Sequence, residues 1–303
     1  MNMKTLDAAS TANPPTGASA GAIQHHYDVG NPFYALWLDS SMTYSSALWH
    51  HDDESLDTAQ RNKLDWHLER AGIAGARRLL DVGCGWGGLI RRALELNPDC
   101  HCTGLTLSQE QRDFIGATQP AGSDVRLESW ADHLPDAPYD GIVSVGAFEH
   151  FARLDQSRDE KVAGYRDFFR FCHRNLSEGG HLSLQTIVYE NADRQHFSHF
   201  FEQTIFPESD LPHLAEIAEA AQKLFEIVEL RNDRHHYANT LRQWSQRLRK
   251  NRHAAIALVG ERTCRDYEKY LALMVVAFHT GSMNLSRLAL RRLPEAQLFA
   301  AVR

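Results

Sequence analysis

The tightest constraint on this chain lies in ten residues, where Leu79-Leu80-Asp81-Val82 runs directly into Gly83-Cys84-Gly85-Trp86-Gly87-Gly88. The first four read as a short buried strand, and glycines spaced this closely free the backbone for positive φ and end the strand in a tight turn. Leu89 to Leu96 then carry helical spacing, and a second strand is read around Cys102 to Leu107. Strand, glycine turn, helix and strand make the opening βαβ unit of a parallel sheet.

The rest of the chain repeats that alternation. Further strands are read at Ile142 to Val145, Leu182 to Val188 and Phe225 to Leu230, with a helical stripe of Tyr165, Phe168, Phe169, Cys172 and Leu176 between the first two. Asn284 to Leu290 is expected to supply a last edge strand. From His25 to about Gly72 the pattern is helical, most clearly over Leu56 to Ala71. It is helical again after about residue 236, with Tyr237, Leu241, Trp244 and Leu248 at i, i+4, i+7 and i+11, followed by the apolar stretch Tyr270 to Phe278. The expected fold is α/β, a doubly wound Rossmann-like sheet covered on both faces. Residues 22–303 form one domain in this reading, with a helical lid from about 22–71 and 190–280 and a core from about 72. Residues 1–21, rich in Ala, Ser, Thr, Pro and Gly without periodicity, read as a disordered lead.

Composition removes several function classes. Lys plus Arg total 32 against 39 Asp plus Glu, a formal charge of −7 that opposes a nucleic-acid footprint. No stretch approaches the roughly 18 apolar residues of a spanning helix, and the start lacks the apolar block of a secretory signal, so a cytoplasmic protein without integral membrane association is expected. The five cysteines are odd in number and show no C-x-x-C pair, so reduced thiols are expected. The 17 histidines include adjacent pairs but no H-x-x-x-H beside an acid, and no metal site is expected.

Gly83, Gly85 and Gly88 satisfy G-x-G-x-x-G, but a dinucleotide site also needs an acid at the end of the second strand for the ribose hydroxyls. Thr103 to Gln111 holds none before Glu110; the acid is Asp81, two residues before the first glycine. D-V-G-C-G-W-G resembles the first motif of S-adenosylmethionine methyltransferases, where backbone approaches the cofactor's amino-acid end and the acid serves its ammonium. The resemblance becomes specific with His26-Tyr27-Asp28-Val29-Gly30-Asn31-Pro32-Phe33-Tyr34, Leu38-Asp39, Thr43-Tyr44-Ser45-Ser46, Gly104-Leu105-Thr106-Leu107-Ser108 with Gln111, Gly146-Ala147-Phe148-Glu149-His150-Phe151, Ile205-Phe206-Pro207 and His236-Tyr237-Ala238-Asn239-Thr240-Leu241. In this order, from about residue 25 to 280, these segments look like the cyclopropane fatty acid synthase family, including the mycolic acid cyclopropane synthases.

That resemblance implies a class I methyltransferase fold and a set of roles. Tyr44 and Ser45 match the pair that closes over the methionine end of the cofactor, and Gly83 and Gly85 match its loop. Thr106 with Gln111 matches the pair that holds ribose. Trp130 resembles the tryptophan beside adenine; the acid that usually follows it is Ala131 here, which leaves Asp132 as a substitute. Family members that close a cyclopropane ring hold a bicarbonate with two cysteines, a glutamate, a histidine and a tyrosine. The glutamate maps to Glu149 and the tyrosine to Tyr237, while Ser46, Gln185 and Met274 stand at the other three positions. Those three changes remove donors and volume from an anion site. The resulting expectation is methylation, at carbon, of a small apolar, aromatic or alkene-containing metabolite, with Glu149 as general base or cation stabiliser. Tyr237 then orients the base or substrate, and His150 is a second-rank base facing the other way along an extended segment. The alternatives are a cyclopropane synthase acting on unsaturated lipid acyl chains and a non-catalytic cofactor-binding module. The run Arg242, Arg247, Arg249, Lys250 and Arg252 is a solvated helix face in the first reading and a patch for anionic lipid in the second. The sequence leaves the oligomeric state open.

Overall fold

The computed structural model describes residues 29–118, 120–193 and 209–294; the lead at 1–21, His26 to Asp28 and Ile205-Phe206-Pro207 lie outside them. Among the described residues two helices, α1 (Asn31–Ala35) and α2 (Leu56–Arg70), precede the glycine unit. The Ser55 hydroxyl starts α2 by accepting the Thr58 amide, an N-cap bond that satisfies an otherwise unpaired donor. The glycine unit then folds as β1 (Arg78–Val82), α3 (Gly88–Leu96) and β2 (His101–Thr106), with β1 and β2 parallel and Leu79 opposite Cys102. Next come α4 (Gln109–Gly116), β3 (Ser123–Leu127), β4 (Tyr139–Val145), α5 (Arg158–Asn175), β5 (Leu176–Tyr189), α6 (Leu214–Ala221), β6 (Phe225–Asn232), α7 (Arg234–Lys250), α8 (Arg252–Thr280) and β7 (Met283–Arg292). The aromatic stripe is the buried face of α5, whose start is fixed by a reciprocal Ser157–Glu160 capping box; Leu176 already belongs to β5.

The strands form one sheet in the order β3-β2-β1-β4-β5-β7-β6. The five on the β3 side run parallel, and β7 pairs antiparallel with both β5 and β6. The expectation of β7 as an edge strand is corrected: it lies inside the sheet, and β6 is the edge. The reason is burial on both faces, since eight consecutive residues from Met283 to Leu290 are buried, whereas β6 exposes Glu226, Val228 and Leu230. The opposite edge, β3, escapes sequence reading because Ser-Asp-Val-Arg-Leu has no apolar run and is half exposed.

Each sheet face has its own core. One packs α5 and α6 through Phe168, Phe169 and Ile217, and the other packs α2 and α3 through Leu64, Leu68 and Ile90. A third cluster joins α7 and α8 to the N-terminal segment through Phe33, Trp37, Trp244, Met274 and Phe278. The helical cover is therefore α7, α8 and the segment from α1 to about Trp49, whereas β6 and α6, inside the 190–280 stretch, belong to the sheet layers. The helices α7 and α8 run back past each other, with Arg234 donating to the Phe278 carbonyl at 3.0 Å and the Tyr237 and Phe278 rings 4.4 Å apart. Gly260 breaks α8 with φ 81° and ψ 161°.

Gly141 in β4 shows how tightly α2 seats on the sheet. A Cβ there would stand 2.2 Å from the Ala71 carbonyl oxygen, a backbone atom that cannot swing away. Gly141→Ala is therefore expected to lower stability by about 1–3 kcal/mol through overpacking, read as a shift of the urea midpoint at constant slope.

Candidate active site

The glycine turn rests on β2: the amides of Gly83 and Cys84 both donate to the Leu105 carbonyl, at 3.0 and 2.9 Å. Gly83, Gly85 and Gly87 take φ of 84°, 53° and 76°, the left-handed region that glycine enters without strain. A Cβ on Gly83 would meet the Ala147 Cβ at 2.6 Å, whereas one on Gly85 would meet nothing within 4 Å, because Gly85 opens on a cavity of about 990 Å³. Tyr44, Ser45, Asp81, Gly83, Gly85, Thr106, Gln111 and Trp130 all line that cavity, as do Ala131 and Asp132. It sits at the carboxyl ends of β1, β2 and β4, where open α/β sheets place their ligands.

Its walls are braced from several directions. The Thr106 hydroxyl donates to Gln111 Oε1 at 2.8 Å, and the Ser108 amide donates back to Thr106 Oγ1. Trp130 stands with its ring against Phe151, Phe168 and Phe171. From the N-terminal side, Asp39 accepts the amides of Ser41 and Thr43 and so holds the strap that carries Tyr44 and Ser45 across the turn. Asn31 accepts from the Trp86 indole at 2.7 Å and ties the strap's start to the loop.

Two buried groups on α2 were not foreseen. Lys63, 1% exposed, donates to Ser45 Oγ at 2.9 Å and lines the cavity near Asp81. Burial pulls its ammonium down to about 7, opposed by the charges of Asp39 and then Asp81, and pushes the Asp81 carboxyl up to about 7, opposed by Lys63. His67, one turn on, pairs with Ser183 Oγ at 2.8 Å and is held neutral by burial beside Arg287 and Lys63. The available signal was Gln60, Lys63 and His67 standing among Ala59, Leu64 and Leu68 on the apolar stripe.

Of the remaining candidates, His150 lines the cavity, whereas Glu149, Tyr237, Ser46, Gln185 and Met274 do not. Glu149 and His150 sit on a 3₁₀ turn, Phe148–His150, rather than on an extended segment, which corrects the expected geometry. His150 faces the cavity and its Nδ1 meets Ser209 Oγ at 2.7 Å. Glu149 turns inward, 2% exposed, with Oε1 accepting the Ile187 amide at 2.7 Å; Oε2 has no hydrogen-bond partner among the described residues. Burial lifts its carboxyl to about 7. Tyr237 and Met274 join Ile187 in the apolar cluster beneath the cover.

Ser46 and Gln185 meet at Arg287, which is fully buried. Its guanidinium donates to Gln185 Oε1 at 2.8 Å, to the Ser46 and Ala47 carbonyls at 3.2 and 3.0 Å, and to the Asp233 carboxylate. Gln185 Oε1 also lies 3.3 Å from His67 Nε2. The side chain of Gln185 is thus engaged in a polar network, and the Ser46 hydroxyl in a bond to the Ala47 carbonyl.

Two substitutions probe this geometry. Gly85→Val places a branched side chain in the cavity at a left-handed φ; a folded variant is expected to show no measurable S-adenosylmethionine binding by calorimetry. Arg287→Met takes the buried cation from Asp233, which keeps only Arg231 and His236 beside it, and strips the Ser46 carbonyl of its guanidinium donor, so about 3–5 kcal/mol of stability should be lost in denaturant unfolding.

A family model described as mycolic acid cyclopropane synthetase matches residues 16–288. A probable fatty acid methyltransferase of Pseudomonas putida is 36% identical over 282 residues, 89% of this chain and 68% of that protein. Cyclopropane mycolic acid synthase 3 of Mycobacterium tuberculosis is 34% identical over 290 residues, covering 90% and 97%. Mycolic acid cyclopropane synthase CmaA1, crystallised with SAH and CTAB, superposes with a TM-score of 0.81 at 32% identity over 91% of this chain and 99% of that one. This chain belongs to the mycolic acid cyclopropane synthetase family and is an S-adenosylmethionine-dependent methyltransferase of the class I fold.

Proposed function

We propose that the enzyme transfers carbon to the double bond of an unsaturated lipid acyl chain, with Glu149 as the base that takes the proton lost from the methylated chain. The observation that carries this reading is Glu149 itself: a carboxylate 2% exposed, braced at one oxygen by the Ile187 amide and unpartnered at the other, beside an apolar cluster. A small metabolite as acceptor, the first expectation from sequence, gains no support from the relatives. The three described above are named for fatty acids or mycolic acids.

The residues present fit the cofactor. The open space at Gly85, the strap pair Tyr44 and Ser45, and the Thr106–Gln111 pair would hold its amino-acid end and ribose, with Asp81 and Trp130 lining the same wall. S-adenosylmethionine supplies an electrophilic methyl group that an alkene's electron pair can capture. Tyr44, Trp86 and Trp130 give the wall aromatic faces suited to a sulfonium. The cover packs an apolar cluster beside Glu149, which limits the water that could quench a cation formed on the chain. Glu149 accepts a proton only when ionised, and Tyr237, in the same cluster as Ile187, orients the chain or the base.

A second outcome is favoured by Ser46, Gln185 and Met274. The Ser46 hydroxyl is engaged and the Met274 thioether donates nothing, which leaves the Gln185 amide nitrogen as the one donor these three positions offer a bicarbonate, so the proton can leave from carbon beside the cation and give a methylated alkene instead of a ring. Cofactor carrying a trideuterated methyl separates the two: ring closure loses one deuteron from the transferred group, whereas a methylated alkene keeps all three. Transfer to aromatic metabolites alone, with none to unsaturated acyl chains, would sink the lipid reading.

Glu149→Gln keeps shape and removes the base, so kcat should fall by roughly 10²-fold or more. Cofactor affinity should hold, because Glu149 does not line the cofactor cavity. With the carboxyl raised to about 7, the active ionised form is lost as pH drops below that value. The wild-type kcat should climb through about pH 7 and level off above it, and Glu149→Gln should erase that limb.

A further inference from the structure

Charge is segregated in this molecule. Residues 234–280, which make up α7 and α8, hold nine Lys and Arg against three Asp and Glu, a formal +6 in a chain whose total is −7, so the rest carries −13. Within α7 there is no acid at all. The cations are not arranged as the bare sequence run suggests, since Arg247 is spent on the Leu38 carbonyl and Asp57, and Arg252 on Glu268 and Glu261. Those bonds leave another face.

Beyond the break at Gly260, the exposed side of α8 carries Arg262, Arg265, Lys269, Leu273 and Val276. Their spacing of i, i+3, i+7, i+11 and i+14 puts them on one stripe, opposite the buried Cys264, Leu271, Met274 and Phe278. Glu261, Asp266 and Glu268 flank the stripe, two of them already paired with Arg252. Leu273 and Val276 are 40% and 58% exposed, and Leu258, before the break, is 51% exposed. Cations over two turns followed by aliphatic side chains over the next two form an interfacial pattern: the charges sit at headgroup level and the apolar groups enter the acyl boundary. Arg249 and Lys250, exposed at the turn between α7 and α8, extend the positive surface.

We propose that this face of α8 docks the enzyme on an anionic lipid surface. The proposal rests on the lipid reading of the substrate, and charge complementarity selects the occupant: a −13 remainder is repelled by such a surface, so attraction must come through α7 and α8. An acidic soluble protein would use the cations but would leave Leu273 and Val276 without a role.

The test is co-sedimentation of the full chain with phosphatidylcholine vesicles, with and without phosphatidylglycerol, all acyl chains saturated. Binding is expected only with phosphatidylglycerol and should weaken as salt rises. Arg262→Glu with Arg265→Glu, and separately Leu273→Gln with Val276→Gln, should each weaken it about tenfold or more. None of the four side chains lines the cofactor cavity, so S-adenosylhomocysteine affinity and melting temperature should be unchanged. Absence of binding, equal binding to both vesicles, or binding that survives either pair of changes overturns the proposal. Loss through the arginines alone would assign the face to a soluble polyanion. The saturated vesicles contain no acceptor, so the two readings fail separately. Vesicle binding without carbon transfer to any unsaturated chain sinks the reaction and leaves the docking face, and transfer to detergent-dispersed unsaturated lipid without vesicle binding does the reverse.

Discussion

A guanidinium with no solvent contact sets the relation between cover and sheet. Arg287 stands in the middle of β7, and removing its charge from water is tolerable only because four acceptors meet it. Those acceptors come from different parts of the chain: Gln185 from β5, Ser46 and Ala47 from the N-terminal strap, and Asp233 from the residue before α7. Satisfying one cation therefore fixes the strap that reaches the cofactor cavity, the strand that braces Glu149 and the helix that carries Tyr237. Burial still pulls the guanidinium down to about 10, while Asp233 is held below the usual carboxylate range largely by this cation and Arg231. The strap is tied a second time to α7, through Ala47 donating to Thr240 Oγ1 and Trp49 donating to His236 Nδ1, so the two halves of the cover are built as one unit.

The cofactor side was legible because its signals are local. Three glycines, an acid two residues upstream and the Thr106–Gln111 spacing each specify backbone or side-chain geometry within a few residues, and the structure gathers all of them on one cavity. What escaped was set by tertiary context. Nothing local in Met283 to Arg292 says that it will insert between β5 and β6, since an apolar run suits an inner strand as well as an edge. The polarity of β3 hid a real strand, and the extended path expected at Glu149 and His150 is instead a 3₁₀ turn. Lys63, His67 and Arg287 are polar residues at core-facing positions, which sequence reading treats as noise until their partners are known.

The short turn at Phe148–His150 has a consequence for chemistry. Adjacent side chains on it diverge, so Glu149 and His150 address two different environments from one backbone segment. His150 reaches the cofactor cavity, and Glu149 reaches the edge of the apolar cluster beneath the cover. A base that served both spaces would be wetted through the open cavity, and its pKa would fall toward the ordinary carboxylate value. Separated by one residue, Glu149 keeps the burial that raises its carboxyl to about 7 and gives it an affinity for a proton near neutral pH.

That placement also reframes the changes at Ser46, Gln185 and Met274. They read in sequence as three independent losses from an anion site, but two are joined through one hub: the carbonyl of Ser46 and the amide oxygen of Gln185 both face Arg287. An amide oxygen at 185 can accept from a guanidinium in either protonation state of its surroundings, and it leaves His67 neutral beside it. An imidazole at 185 would offer at most one acceptor nitrogen and would bring a titratable group next to two buried cations, Arg287 and Lys63. The positive charge already installed at Arg287 therefore selects against a histidine at 185. Restoring an anion-binding set in this enzyme would require Arg287 to change with Gln185, because the two side chains share a single hydrogen-bond economy in a space with no water to absorb a mismatch.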